Sequence, residues 1–283
     1  MLISTDTFYI IEKLGEQEGL RLIHDCGFEA VDFSIFNRDS HSDMLDSDFR
    51  DRAKRTREAL EKNNLKCSQA HAPYRKVVYG SVLDSSNIDF VHILRAIEYA
   101  SIIGSDSIVI HGLWNPEGPF SKANMDSNVA YYSLFKETAE KFKVHISIEN
   151  MIHNCLNTPQ LMNSIIDILD SPVFNLCLDI GHCHCTGFNP EDFVRGLDPG
   201  KLKILHIQDN FGTADNHLLP FTCNINWEAV LKALVDYGYK GNISLEVPHF
   251  YRDLPTELIG KGVELAAATA DYLRTRLLSL SAS

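Results

Sequence analysis

The chain has 283 residues, 45% of them hydrophobic and 23% charged, the balance of a soluble globular protein with material for a large core. Lysine and arginine number 26 against 38 aspartates and glutamates, a formal net charge of −12. That sign argues against strong nonspecific binding to nucleic acid or an anionic membrane, and it suits a protein that gathers carboxylates around a cation. No window approaches the roughly 20 apolar residues of a membrane span. Met1 to Ile11 lacks the basic start and small-residue cleavage site of a signal peptide, so a cytoplasmic protein is expected. The seven cysteines, Cys26, Cys67, Cys155, Cys177, Cys183, Cys185 and Cys223, include no CxxC pair, a pattern of reduced thiols rather than a disulfide framework.

In chain order, short β-branched or aromatic runs alternate with longer stretches of helical apolar spacing. The expected strands are Leu2–Thr5, Val31–Ile35, Lys66–His71, Ser107–His111, Val144–Glu149, Asn175–Asp179, Lys203–Ile207 and Asn242–Val247. Several are apolar on both parities, as in strands buried on both faces. Asp48 to Lys62, with its mixed charges, is the solvated face of an early helix. Thr158-Pro159 and Asn189-Pro190-Glu191 each place a capping side chain before a proline, and Asn226 opens Asn226-Trp227-Glu228-Ala229-Val230 in the same way. A last helix from Thr256 to Leu278 closes the ring. No linker or low-complexity segment interrupts the series, so residues 1–283 are expected to form one domain. Eight βα units of about 30–40 residues predict an α/β fold, a (β/α)8 TIM barrel. A doubly wound sheet would carry a Gly-rich turn after its first strand, where this chain reads Asp6-Thr7-Phe8-Tyr9.

In such a barrel the C-terminal ends of the strands converge on one mouth. Strands three to eight deliver His71, His111, Glu149, Asp179, His206 and Glu246 to it. A lone His71 or His111 is as readily a packing residue as a ligand. An acid ending a run such as Ile146-Ser147-Ile148-Glu149 or Ile243-Ser244-Leu245-Glu246 is costly to bury unpaired, and a bound cation removes that cost. Nitrogen and oxygen ligands without thiolate suit Mn2+, Co2+, Mg2+ or Zn2+ in a catalytic role. Glu149, Asp179, His206 and Glu246 form the first candidate site. His182, Asp215 and His217 are candidates for substrate contact or further metals, as are His71 and His111. Trp114 is the candidate substrate contact among possible apolar walls that include Phe8, Phe36, Tyr74 and Phe250. Cys183-His184-Cys185 has a spacing that suits no common zinc site, and no Gly-x-Ser-x-Gly elbow marks a serine hydrolase.

The segments His71-Ala72-Pro73-Tyr74, Ile108-Val109-Ile110-His111-Gly112, Ser147-Ile148-Glu149-Asn150, Leu178-Asp179-Ile180-Gly181-His182, His206-Ile207-Gln208-Asp209 and Leu245-Glu246 resemble the xylose isomerase-like barrel superfamily. That group includes sugar phosphate isomerases and epimerases and endonuclease IV. The resemblance to its ketose 3-epimerase branch implies one divalent metal on Glu149, Asp179, His206 and Glu246. It further implies that the two glutamates are the acid/base pair and that His182 contacts a substrate oxygen. Where that branch has a further glutamate and an arginine, this chain has Cys155 and Gly212. Family members commonly follow Asp-x-His-x-x-Pro, here Asp215 to Pro220, with a Gly-x-Gly turn. Phe221-Thr222-Cys223-Asn224 stands instead, which favours an unphosphorylated sugar, polyol or keto-sugar derivative. The alternative implied by the resemblance is an endonuclease IV-like phosphodiesterase on abasic DNA. It would hold up to three Zn2+ on His71, His111, Glu149, Asp179, His182, His206, Asp215, His217 and Glu246. The basic side chains nameable on the rim, Arg38, Arg75, Lys76 and Arg252, form no cluster, so a small-molecule sugar is expected over nucleic acid or membrane. Exposed barrel helices leave a homo-oligomer open.

Overall fold

The computed structural model describes residues 1–36, 43–74, 77–78, 80–114, 122–152 and 156–282. Eight strands are β1 (Ile3–Asp6), β2 (Ala30–Ser34), β3 (Lys66–His71), β4 (Ser107–Ile110), β5 (His145–Glu149), β6 (Phe174–Asp179), β7 (Leu202–His206) and β8 (Ile243–Leu245). All neighbours pair in parallel, in the order β7-β6-β5-β4-β3-β2-β1-β8. The ring closes through a bridge between Ile207 and Leu245, where the Ile207 N–H donates to Ser244 O (2.9 Å) and the Glu246 N–H to Ile207 O (3.0 Å). This is the expected (β/α)8 barrel.

The helices between the strands are α1 (Phe8–Leu14), α2 (Glu16–Asp25), α3 (Phe49–Lys62), α4 (Ile88–Ile102), α5 (Lys122–Ser133), α6 (Lys136–Phe142), α7 (Pro159–Leu169), α8 (Ile180–Cys185), α9 (Pro190–Arg195), α10 (Trp227–Tyr237), α11 (Pro248–Asp253) and α12 (Ile259–Ser281). Their starts follow local chemistry. Asn87 accepts the N–H groups of Asp89 and Phe90, Thr158 that of Leu161 and Asn226 that of Ala229, each satisfying a donor the helix leaves free. Asn189 does not cap in this way; its amide donates to Asp192 Oδ2 (3.1 Å). On α3, Arg57 pairs with Glu61 at 2.7 Å on the solvent side while Phe49, Ala53, Thr56 and Leu60 are buried. The last helix, expected from Thr256 to Leu278, is a 3-10 turn over Thr256–Leu258 followed by α12, which packs on α10, β1 and β8. Among the described residues no helix is long and apolar enough to cross a membrane.

The strand interior departs from the expectation of runs apolar on both parities. In β1, β2, β5 and β8 the apolar side chains, such as Val31 and Phe33 or Ile146 and Ile148, alternate with Ser4, Asp6, Asp32, Ser34, Ser147, Glu149 and Ser244. Because Asp6, Asp32, Ser34 and Glu149 line a cavity at the barrel mouth, the polar parity faces the barrel axis and the apolar parity faces the helices. The interior is held by polar pairs, Ser147 Oγ to Asn175 Oδ1 (2.7 Å) and Gln69 Nε2 to Asp32 Oδ2 (2.8 Å), beside a small apolar group of Val109, Cys177 and Ile204. Strand ends also shift. β1 runs one residue further than expected and ends in Asp6, whereas β4 and β8 stop at Ile110 and Leu245, so His111 and Glu246 sit just past the ladder where the chain turns outward.

Candidate active site

The barrel mouth opens on a cavity of about 270 Å³ that reaches seven of the nine candidate residues: His71, His111, Glu149, His182, Asp215, His217 and Glu246. Asp179 and His206 lie immediately beneath, fully buried. All nine fall into groups whose ligand atoms lie within 4.8 Å of one another: Glu149 with Asp179, His206 and Glu246; His71 with His111 and Glu149; His182 with Asp215 and His217; and His71 with His206 and Glu246.

Local structure explains this convergence. Asp179 ends β6 and caps α8, its Oδ1 accepting the His182 N–H at 2.7 Å. Asn150, next to Glu149, clamps the same point from β5, accepting the Asp179 N–H (2.7 Å) and donating to Asp179 O (2.9 Å). The Asn150 carbonyl also accepts from His182 Nδ1 (2.8 Å). The loop after β7 is tied down by Asp209 and Gln208; Gln208 Nε2 donates to Asp215 Oδ1 (2.6 Å) and its Oε1 accepts the His217 N–H (3.2 Å). Gly181 is required beside this pair, because a Cβ there would overlap the Gln208 amide and lie 2.6 Å from Asn210 Nδ2.

The imidazoles show the tautomer control typical of metal-binding histidines, one ring nitrogen occupied by a protein acceptor and the other left toward the site. His71 Nδ1 donates to Ala72 O (2.7 Å), His182 Nδ1 to Asn150 O, His217 Nδ1 to Glu246 O (3.2 Å) and His206 Nε2 to Asp32 Oδ2 (3.0 Å). His206 Nδ1 is left 3.2 Å from both Glu149 Oε1 and Glu246 Oε2. His182 Nε2 and His217 Nε2 converge on Asp215 Oδ2, at 3.2 and 2.9 Å. Three carboxylate oxygens of the four-residue group, Glu149 Oε2, Asp179 Oδ2 and Glu246 Oε2, are buried and accept no hydrogen bond among the described residues, although His111 Nε2 comes within 2.9 Å of Glu149 Oε2 and His206 Nδ1 within 3.2 Å of Glu246 Oε2. Buried carboxylates with unserved oxygens, grouped with an imidazole within 4.8 Å, are the donor set a divalent cation satisfies.

The titration behaviour has the same origin. Burial pushes Asp179 up to about 7, with Glu246 and Glu149 adding to the rise against the pull of His182. Burial also opposes ionisation of Glu246, yet His206 and His217 bring its carboxyl down to about 2. Glu149 is held well below the carboxylate range by His206 and His111, against its burial. His217 rises to about 10 because Asp215 outweighs its desolvation. Protons on these imidazoles compensate the crowded carboxylates, and a cation would take over that role.

Several cavity residues lie outside the expected set. Asp6 and Asp32 end or sit within strands whose expected ends were Thr5 and Ile35, and Tyr9, Met151 and His249 come from loops and the starts of α1 and α11. Phe8, Phe36 and Tyr74 do line the cavity, Phe36 lying 5.3 and 4.7 Å from the other two rings. Trp114 and Phe250 do not line it. Trp114 is bridged to Val78, its N–H donating to Val77 O (2.9 Å), and Phe250 packs partly buried against the core. Arg252 pairs with Asp253 at 2.7 Å. Arg38, Arg75, Lys76 and Cys155 lie outside the described residues. Cys183 donates to Asp179 O (3.2 Å) and His184 Nδ1 bonds Asn210 Oδ1 (2.9 Å).

A family model described as "Xylose isomerase-like TIM barrel" matches residues 20–276. The chain belongs to the xylose isomerase-like TIM barrel family. Within curated sequences, this family member is 33% identical over 184 residues to "Uncharacterized protein MJ1311" of Methanocaldococcus jannaschii, covering 62% of each chain. It is 29% identical over 126 residues to "Inosose isomerase" of Halalkalibacterium halodurans, covering 41% of this chain and 44% of that one. The chain thus matches less than two thirds of the length of these relatives. Among solved structures, the same fold is seen in a D-tagatose 3-epimerase-like protein (TM-score 0.77, 24% identity, 100% of this chain and 98% of that chain). It is also seen in the IOLI protein with a bound zinc atom (TM-score 0.73, 19% identity, 99% and 98% covered).

Proposed function

We propose that this protein is a divalent-metal-dependent isomerase or epimerase of an unphosphorylated sugar or sugar derivative. The observation that carries the reading is the buried group of Glu149, Asp179, His206 and Glu246, whose ligand atoms lie within 4.8 Å of one another and whose three carboxylates each keep one oxygen that accepts no hydrogen bond among the described residues. Similarity to an inosose isomerase and a fold shared with a D-tagatose 3-epimerase-like protein support the substrate class, and the zinc in the IOLI protein supports a metal. Glu149, Asp179, His206 and Glu246 would hold the cation. When bound, it supplies a Lewis acid that polarises a carbonyl and its neighbouring hydroxyl. Glu149 from β5 and Glu246 from β8 act as the acid/base pair: one carboxylate removes the proton on the carbon beside the carbonyl, and the other returns a proton to the opposite face. His182, its Nδ1 fixed by Asn150 O, directs Nε2 toward a substrate oxygen. Phe8, Phe36 and Tyr74 cover the apolar face of the substrate.

Glu246→Gln should keep the melting temperature and abolish solvent-deuterium incorporation into the turned-over sugar, a fall of about 10²–10⁴-fold. Retained exchange overturns the assignment. One observation favours a second reading: all nine candidate residues for a three-metal site fall into ligand groups, three that share members and the separate trio His182, Asp215 and His217. Elemental analysis separates the two. About one ion per chain fits the isomerase reading; two or three zinc ions, with incision of abasic DNA, would replace it by a phosphodiesterase.

A further inference from the structure

One wall of the cavity is built by three neighbouring strands that each bring a carboxylate to it: Asp6 at the end of β1, Asp32 within β2 and Glu246 just past β8. Asp6 of β1 is the register partner of Asp32 on β2, and Thr5 that of Leu245 on β8, which places Glu246 abreast of Asp6. Each acid has one buried oxygen that accepts no hydrogen bond among the described residues: Asp6 Oδ2, Asp32 Oδ1 and Glu246 Oε2. The three differ in what serves them. Glu246 belongs to two of the metal-ligand groups, and Asp32 Oδ2 receives both Gln69 Nε2 (2.8 Å) and His206 Nε2 (3.0 Å). Among the described residues Asp6 belongs to no ligand group, and the one hydrogen bond its carboxylate accepts is from the Val247 N–H on Oδ1 (2.9 Å). Only 4% of Asp6 is exposed, yet it lines the cavity. A buried carboxylate oxygen without a donor is costly, and the residue that carries this one borders the ligand space. Phe8 at the start of α1 and Phe36 and Tyr74 from the loops after β2 and β3 line the same cavity, so a ligand there meets both an acceptor-rich and an aromatic surface.

We propose that Asp6 is a substrate-specificity residue: Oδ1 is locked by the Val247 N–H while Oδ2 accepts a hydrogen bond from one hydroxyl of a neutral polyhydroxy ketone, away from the metal-binding group. The inference rests on the sugar reading of the site and deepens it by assigning a hydroxyl-recognition point that the acid/base pair does not provide. A site built to bond a hydroxyl rejects the analogue lacking it, because the carboxylate is then left unpaired.

The test is calorimetric binding at about pH 8.5, where Asp6 is ionised, of inosose, D-tagatose and D-fructose to the metal-loaded protein, followed by the single-deoxy analogues of the best-bound ketone. One deoxy position should lose about 10- to 100-fold in affinity in the wild type. In Asp6→Ala the parent ketone should weaken by the same factor and that deoxy analogue should bind as the parent does, while Asp6→Asn, which keeps the acceptor for the Val247 N–H beside Glu246, should leave metal content per chain unchanged. Asp6→Asn retains the volume and the acceptor for Val247, so it checks the result if Asp6→Ala fails to fold. In Asp6→Asn the amide nitrogen faces the ligand, and a deoxyfluoro analogue at the same position should be tolerated better than by the wild type. Parent ketone binding that is unaffected by either variant, or no deoxy position coupled to Asp6, overturns this inference alone. No binding of any of the three ketones to the wild type overturns it together with the sugar reading.

Discussion

Asp209 should be among the most destabilising positions at which to make a conservative change. Its carboxylate is fully buried and receives five donors. Oδ1 accepts the N–H groups of Asn210 (2.9 Å) and Ile225 (3.3 Å). Oδ2 accepts the N–H groups of Phe221 (3.0 Å) and Cys223 (3.2 Å) and the indole Nε1 of Trp227 (3.1 Å). Asp209→Asn preserves shape but must turn an NH2 toward one set of donors. The less harmful orientation faces Asn210 and Ile225, which loses two charge-assisted bonds and leaves three bonds to a neutral oxygen. At about 1.5–3 kcal/mol for each bond to a charged group, and less than additively, the loss is about 3–5 kcal/mol. At roughly 2–4 °C per kcal/mol for a chain of this size, the melting temperature should fall by about 10 °C. Urea titration with the metal present gives the free energy directly. A shift within about 2 °C, or an unchanged urea midpoint, would refute the claim that this carboxylate fastens the loop carrying Asp215 and His217.

Metal-free protein should lose stability as pH rises. Asp6 is raised from 3.8 to about 7 by burial, with Glu246 and Asp32 adding to the rise against the Val247 N–H, and Asp179 is raised to about 7 as well. A raised carboxyl contributes stability that is full below its unfolded value and is lost as pH climbs through the folded one; for Asp6 this is roughly 4 kcal/mol between pH 4 and 7. His217, raised to about 10, adds a loss between pH 6.5 and 10 of the same sign. Under the proposed function a divalent cation such as Mn2+ or Zn2+ would bind the ionised carboxylates, so thermal melts across pH 5–9 should show a stabilisation by metal that grows with pH; a metal-free protein whose melting temperature rises with pH contradicts this. Ser4 and Ser244, register partners inside the barrel with hydroxyls that have no partner among the described residues, should tolerate joint replacement by alanine with a change of between 0 and about +1 kcal/mol by urea titration, and a loss above about 1 kcal/mol would show that these hydroxyls are satisfied.

How far the sequence reveals this site depends on where each residue stands in its strand. Glu149, Asp179 and His206 terminate strands in which neighbouring apolar residues mark the register, so the search for what ends each strand finds them. Asp6 escapes because β1 extends one residue past the apolar run, and Asp32 because it stands within β2 between Val31 and Phe33. The signal that could have found both is alternation: in Val31-Asp32-Phe33-Ser34 an acid and a serine share one parity, and in a barrel that parity faces the axis. His249 and Met151 come from segments after the strands, whose direction is set by contacts distant in sequence, such as His249 Nδ1 to Asn216 O (3.0 Å). Asp209 looks like one acid in a short motif until the loop folds back and its four later donors, from Phe221 to Trp227, arrive.

The two glutamates of the proposed acid/base pair are anchored differently, and this separates what a loop mutation can do to each. Glu149 lies within the β5 ladder, in register with Cys177, and Asn150 beside it is bonded twice to Asp179. Glu246 lies past the three-residue β8 and is positioned by three separate elements: its N–H on Ile207 O of the β7 side, its carbonyl on His217 Nδ1 of the loop, and the following Val247 N–H on Asp6 of β1. Loosening the β7 loop therefore removes support from Glu246 through His217 while leaving Glu149 and Asp179 fixed. Under the proposed chemistry, Asp209→Asn should retain most of its metal and still lose solvent-deuterium exchange, measured below its lowered melting temperature. A parallel fall of metal content and exchange would instead mean that the loop supports the whole ligand set, and that Glu246 is no more dependent on it than Glu149.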